Sequence, residues 1–141
     1  AYIYGKEGID YLKRLIELDP EYYDAYLGLG LYHYYTDVIP KFAKAVTFIL
    51  GIESDKARGL AELELAAERG KYSRAEALLF LGSIYLYLEK DYKRSLTYFQ
   101  RLNQMYPQNA SSLMLLGENY QKVGEHQLAI STLNHLVNLN L

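Results

Sequence analysis

Three histidines, His33, His126 and His135, are the first residues to test for chemistry, and their settings restrict them. His126 and His135 stand nine positions apart, which is not a same-face ligand spacing on one helix. His33 lies in an apolar, helically patterned run and reads as a packed or hydrogen-bonded interior residue rather than a base. The acidic pairs Glu17/Asp19 and Glu62/Glu64 are two apart, so a helix points their side chains to different faces and they read as solvated surface. Gly5-Lys6-Glu7-Gly8 is too short, and too helical in setting, to cradle a phosphate. The sequence holds no His-Glu-x-x-His, no glycine-rich loop followed by Lys-Ser/Thr, and no Gly-x-Ser-x-Gly elbow. It has no cysteine, so disulfides and thiolate metal sites are excluded and the redox compartment is left open. The expectation is no catalytic residue, no metal site and no cofactor.

The elements that carry these residues form a pattern. Between Ala75 and Pro107, a first run carries Leu78, Leu81, Gly82 and Tyr85, and a second, after a break at Glu89-Lys90-Asp91, carries Ser95, Phe99 and Leu102. Spacings of three and four put each set on one helical face. Gly82 and Ser95 leave room where the two helices of a hairpin approach closely. The unit repeats at about 34 residues. From Ala110 the order is Leu113, Leu116, Gly117 and Tyr120, then Ala129, Leu133 and Leu136. Upstream, Tyr26, Leu29, Gly30 and His33 fill a first helix, and Gly8, Leu12, Leu15 and Pro20 an earlier second helix.

With large residue, Leu-Gly, aromatic, small residue, large apolar residue, then Ala and Pro in phase along most of the chain, the sequence resembles the tetratricopeptide-repeat (TPR) family. The resemblance implies an all-α fold, a right-handed superhelix of stacked antiparallel helix pairs. The organisation expected is a single array over 1–141: a partial repeat at 1–20, a repeat with an inserted helix at 21–72, and repeats at 73–108 and 109–141. Ala1 to Tyr4 then fall on the last turn of an earlier helix, Gly5 is a turn residue, and Gly8 to Leu18 form the second helix. The abrupt start and the uncapped end at Asn138-Leu139-Asn140-Leu141 are read as a segment of a longer protein.

Composition agrees with a stacked array. The 141 residues are half hydrophobic, yet no apolar run approaches the roughly 18 to 20 residues that span a bilayer. A net charge of -2 gives no electrostatic case for nucleic acid. Ten glycines and three prolines argue against low complexity. Sixteen tyrosines supply broad packing surfaces with polar tips, suited to helix interfaces and recognition grooves alike.

The repeat spacing is broken once. Glu21 and Asp24 place acid near the start of a helix that runs to about Tyr35 and stops at Thr36-Asp37. Gly30 and Gly82 are then 52 residues apart, against 35 from Gly82 to Gly117, so about 17 or 18 residues are inserted. Pro40 to Leu50 is the expected inserted helix, with Phe42, Ala43, Val46, Ile49 and Leu50 at helical spacing and Gly51 as its stop. The repeat resumes at Asp55, with Leu60, Leu63, Ala66 and Ala67 on one face and Arg69-Gly70 as a basic last turn and cap. Leu50-Gly51-Ile52 followed by Asp55 to Leu60 also resembles a junction in a eukaryotic outer-membrane-associated TPR family linked to inclusion clearance or lipid droplets.

The TPR resemblance implies function through shape, with the first helix of each repeat lining a concave groove. Its groove positions fall here on Leu27, Leu31, Tyr34 and Tyr35, then Leu79, Phe80, Ser83 and Tyr87, then Met114, Glu118 and Gln121. TPR domains that grip chaperone C-terminal tails resemble one another in carrying Lys, Arg and Asn at such positions, to bond a carboxylate. Here only Lys122 is basic, and the expected occupant is a hydrophobic or amphipathic segment of a protein or peptide partner. Two alternatives stand beside this non-enzymatic scaffold: a carrier of a lipid-like molecule, and a structural homo-oligomerisation module. The inserted helix could itself cover Leu27, Leu31 and Tyr34, whereas Tyr87, Met114, Glu118 and Gln121 are expected to remain accessible.

Overall fold

The computed structural model describes residues 2–38 and 54–139. Among these are seven α-helices and no strand: α1 (Tyr2–Leu18), α2 (Ala25–Val38), α3 (Lys56–Arg69), α4 (Arg74–Ser83), α5 (Tyr92–Met105), α6 (Ala110–Lys122) and α7 (His126–Leu139). A π-helical turn, Ile84–Leu88, follows α4. The inserted helix expected at Pro40 to Leu50, and its stop at Gly51, lie outside the described residues, as do both chain ends. The chain divides into two compact units, residues 1–77 and 78–141.

In the first unit, α1 runs unbroken through Gly5, where a turn was expected. One glycine inside a helix costs only about 1 kcal/mol, which the pattern on either side outweighs. Helix α2 likewise continues past Thr36-Asp37 to Val38. The Thr36 hydroxyl donates to the Tyr32 carbonyl at 2.6 Å, so it is satisfied inside the helix instead of ending it. Where α2 meets α3 there is no room for a side chain on either backbone. A Cβ on Gly30 would lie 2.8 Å from the Gly59 carbonyl oxygen, and one on Gly59 would lie 2.5 Å from the Tyr34 nitrogen.

Helix α3 begins at Asp55, whose carboxylate accepts from the Arg58 N–H at 2.9 Å. Its buried face is Gly59, Glu62, Leu63, Ala66 and Ala67, and the expected Leu60 is only half-buried. Gly70 ends the helix as expected, but at φ -58 rather than in the left-handed region. Its glycine answers to space, since a Cβ there would sit 2.5 Å from Ser73 Oγ.

The second unit follows the repeat pattern closely. Leu78, Leu81, Tyr85, Phe99, Leu102, Leu113 and Leu116 are all buried. Gly82 receives the Phe99 ring, whose Cε1 would lie 2.6 Å from an added Cβ. The Ser95 hydroxyl donates to the Gly82 carbonyl at 2.8 Å. Buried Asn119, not singled out by the sequence, hydrogen-bonds Ser95 in turn, tying α6 to α5. Helix α5 starts at Asp91, which accepts from the Arg94 N–H, and α6 at Asn109, which accepts from the Ser112 N–H. Helix α7 packs on α6 and buries only Ala129. Leu133, expected in the core, rests over Gly117 yet is 40% exposed.

Candidate interaction surface

The residues singled out for chemistry are structural. His33 is fully buried, and its Nδ1 lies 2.6 Å from Glu62 Oε2, which places the ring proton on Nδ1. Glu62 was read as solvated surface; it is instead buried, with Oε1 accepting from Arg58 Nε at 2.9 Å. A carboxylate can be buried here because both of its oxygens have donors. The chain Arg58–Glu62–His33 therefore fastens α3 to α2.

Asp24 is also occupied. Its Oδ1 accepts from the backbone N–H of Tyr72 at 2.9 Å, the backbone N–H of Ser73 at 2.7 Å and the Ser73 hydroxyl at 2.7 Å. Burial pushes its pKa up, but the bonds from Ser73, Tyr72 and Lys71 outweigh this and hold it below the ordinary 3.8. Asp24 thus pins the turn between α3 and α4 to the start of α2.

Of the expected groove residues in the first unit, Leu27 and Leu31 are half-buried and Tyr35 is exposed. Tyr34 has no exposed surface and stands edge-on to Tyr35, ring centroids 5.3 Å apart. It belongs to the core: its backbone lies against Gly59, and a closed side chain offers no partner anything to touch. The assignment of Tyr34 to an accessible groove is corrected accordingly.

The second unit brings its predicted residues together. Tyr87 on the π-turn donates its hydroxyl to Glu118 Oε2 on α6 at 2.8 Å. Burial, the hydrogen bond to Glu118 and the charge of Glu118 together push the Tyr87 pKa up to about 12, so it remains a donor. Its ring is nevertheless half exposed, and Met114, one turn before Glu118, is 53% exposed. Gln121 is exposed beyond them, while Leu79, Phe80 and Ser83 are half-buried along α4. Leu79 packs on the cluster of Leu86, Phe99 and Leu116, so the surface stands directly on the core.

The π-turn was not anticipated. The Glu89 N–H donates to the Ile84 carbonyl, five residues back, at 3.0 Å. It sends Leu86 into the core and leaves Tyr87 outside. A spacing signal for it exists. Tyr85 and Ser95 are ten residues apart, whereas their counterparts Tyr120 and Ala129 are nine apart. The π-turn takes up the extra residue.

Residues 76–109, spanning most of α4, the π-turn and α5, match the family model described as Tetratricopeptide repeat. The match covers about a quarter of the chain and supports a protein of the TPR family with an all-helical repeat fold. No curated protein matches the chain. TPR repeats generally mediate protein–protein interaction and are typically non-enzymatic, which points to protein partners. No helix among the described residues is long and apolar enough to cross a membrane.

Proposed function

We propose that this chain is a protein-interaction scaffold in which the face of α4, the π-turn and α6 docks a hydrophobic or amphipathic segment of a protein partner. One observation carries the reading: the Tyr87–Glu118 hydrogen bond joins the two elements and leaves the Tyr87 ring and the Met114 side chain exposed beside it. Rigid aromatic and thioether groups of this kind bury large area at low entropic cost. Apolar residues of the partner would lie on Tyr87 and Met114, and polar atoms would reach Glu118 and Gln121. In this reading Leu27, Leu31 and Tyr35 offer the same kind of surface within the first unit.

The test is partner capture with Tyr87→Asp/Met114→Asp, with folding checked by circular dichroism. Capture should fall sharply; undiminished capture by a folded double variant overturns the docking reading. Self-association is the second reading, favoured by the exposed Ile130, Leu133 and Val137 on α7. Native mass spectrometry over a concentration series separates the two. A concentration-dependent dimer supports self-association, and a bound mass of small-molecule size supports the carrier instead.

A further inference from the structure

We propose that the open cleft of about 500 Å³ lined by Lys90, Asp91, Tyr92, Lys93, Lys122 and Val123 receives an acidic stretch of the docked partner segment. The proposal rests on the docking reading and adds a direction and a charge to it. Three of its six lining residues are lysines, and its one acid is already engaged: Asp91 Oδ1 accepts from the Arg94 N–H, and Oδ2 lies 3.4 Å from Arg94 Nε. In a chain of net charge -2 the result is a local cationic pocket.

Two of the three lysines stand where local preference is against them. Lys93 is the second residue of α5, at the helix end whose dipole disfavours a cation. Lys90 has φ 56, the left-handed region that glycine takes more easily. Only Lys122, in the last turn of α6, is explained by its own helix. Lys93 is thus a cation that its own helix end disfavours, and it lines the cleft together with Lys90 and Lys122.

The cleft also lies where the docking surface leads. Lys122 follows Glu118 by four residues, one turn further along the same face of α6, and Lys90 stands in the short loop just past the π-turn that carries Tyr87. Tyr92 and Val123 add apolar surface to its lining. A segment with apolar residues over Tyr87 and Met114 would bring its next residues to the lysines, and carboxylates are the groups they would hold. The cleft is too small, and the rest of the chain too acidic, for a polyanion such as nucleic acid.

The test is an NMR titration of the 15N-labelled chain at low salt. The probes are the capped peptides Glu-Glu-Leu-Glu-Glu and Gln-Gln-Leu-Gln-Gln, taken to millimolar concentration. The Glu peptide should shift amides of residues 89–93 and 121–124, and the Gln peptide should not. In Lys90→Gln/Lys122→Gln the apparent affinity should fall by about three- to tenfold, as expected for two exposed charge contacts. Absent shifts, equal shifts around Lys56 and Lys71, or an unchanged affinity in the variant overturn the proposal. A Leu-rich amphipathic peptide without acids checks the docking reading separately. If it shifts Met114 and Gln121 while the Glu peptide shifts nothing, the cleft fails and the docking reading stands. If it shifts nothing while the Glu peptide still marks the lysines, the reverse holds.

Discussion

The same dipeptide, Leu-Gly, sits at the helix crossing of both units, yet the two crossings are built differently. Leu29-Gly30 on α2 meets Gly59 on α3, and the two helix backbones touch. Leu81-Gly82 on α4 meets Phe99 on α5, and an aromatic ring fills the space instead. The aromatic position three residues on differs in parallel. His33 donates to buried Glu62, whereas Tyr85 stacks on Tyr98 at 5.7 Å with its rings nearly parallel and takes a bond from Arg94. A repeat pattern thus specifies that two helices come close. The residue opposite decides whether backbone, ring or charge occupies the gap.

Adding one methyl should separate the two crossings most strongly. Gly59→Ala forces Cβ against the Tyr34 nitrogen and the Gly30 carbonyl, neither of which can rotate away. A cost of about 3 kcal/mol or more is expected, at the upper end for overpacking. Gly82→Ala first meets the Phe99 ring, which can shift, and should cost about 1–2 kcal/mol. Denaturant melts of the two variants check the order; equal losses would mean that the Phe99 ring is as immovable as backbone.

Next in size is the polar contrast. Glu62→Leu leaves the His33 Nδ1–H without its acceptor in a fully buried site, at a cost of about 1–3 kcal/mol. Tyr85→Phe keeps the stacking and loses one bond to an exposed Arg94, so it should cost about 1 kcal/mol or less. Thermal melts of both variants at neutral pH test this.

Asp24 gives the first unit a pH dependence in the acid range, whereas the raised Tyr87 of the second unit titrates only in strong base. Asp24→Asn weakens three hydrogen bonds to a carboxylate and should cost about 1–2 kcal/mol at neutral pH. Because its folded pKa is lowered below 3.8, the carboxylate contributes its full stability above 3.8 and loses it as pH falls through the folded value. The gap between wild type and variant should therefore close in acid. A gap that persists unchanged down to the folded pKa would mean that the charge is not what holds Ser73.

The sequence made the second unit more legible than the first, for physical reasons. Leu78, Leu81, Phe99 and Leu113 follow from spacing because apolar periodicity reports burial directly. Glu62 did not, because a charged residue on a helix reads as surface until its partners, 29 residues away at His33 and one turn away at Arg58, are seen together. Asn119 was hidden for the same reason, its partner Ser95 lying on another helix. In the candidate surface, repeat position alone singled out Tyr87, Met114 and Glu118, and the structure leaves Tyr87 and Met114 exposed with Tyr87 bonded to Glu118. Tyr34 stands at a groove position of the repeat yet is fully buried, and repeat position alone does not show that the α2 backbone meets Gly59 there.

The smallest expected effect concerns the extra residue between Tyr85 and Ser95. A π-turn persists where one more residue must fit between fixed core positions, so removing one should let the segment close as ordinary α-helix. Leu88, half exposed at the end of the turn, is the residue to delete. Stability should change by no more than about 1 kcal/mol, as for surface changes away from core features. Deleting Gln121 from α6, whose aromatic-to-small spacing is already nine, should be far more damaging because Lys122 and the turn at Gly124 would be pulled out of register. Hydrogen exchange at the Glu89 amide, which now bonds five residues back to Ile84, would report the change directly. If the Leu88 deletion is as destabilising as the Gln121 deletion, the π-turn is required by packing. If it is tolerated but abolishes partner capture, the turn is retained to hold Tyr87 against Glu118.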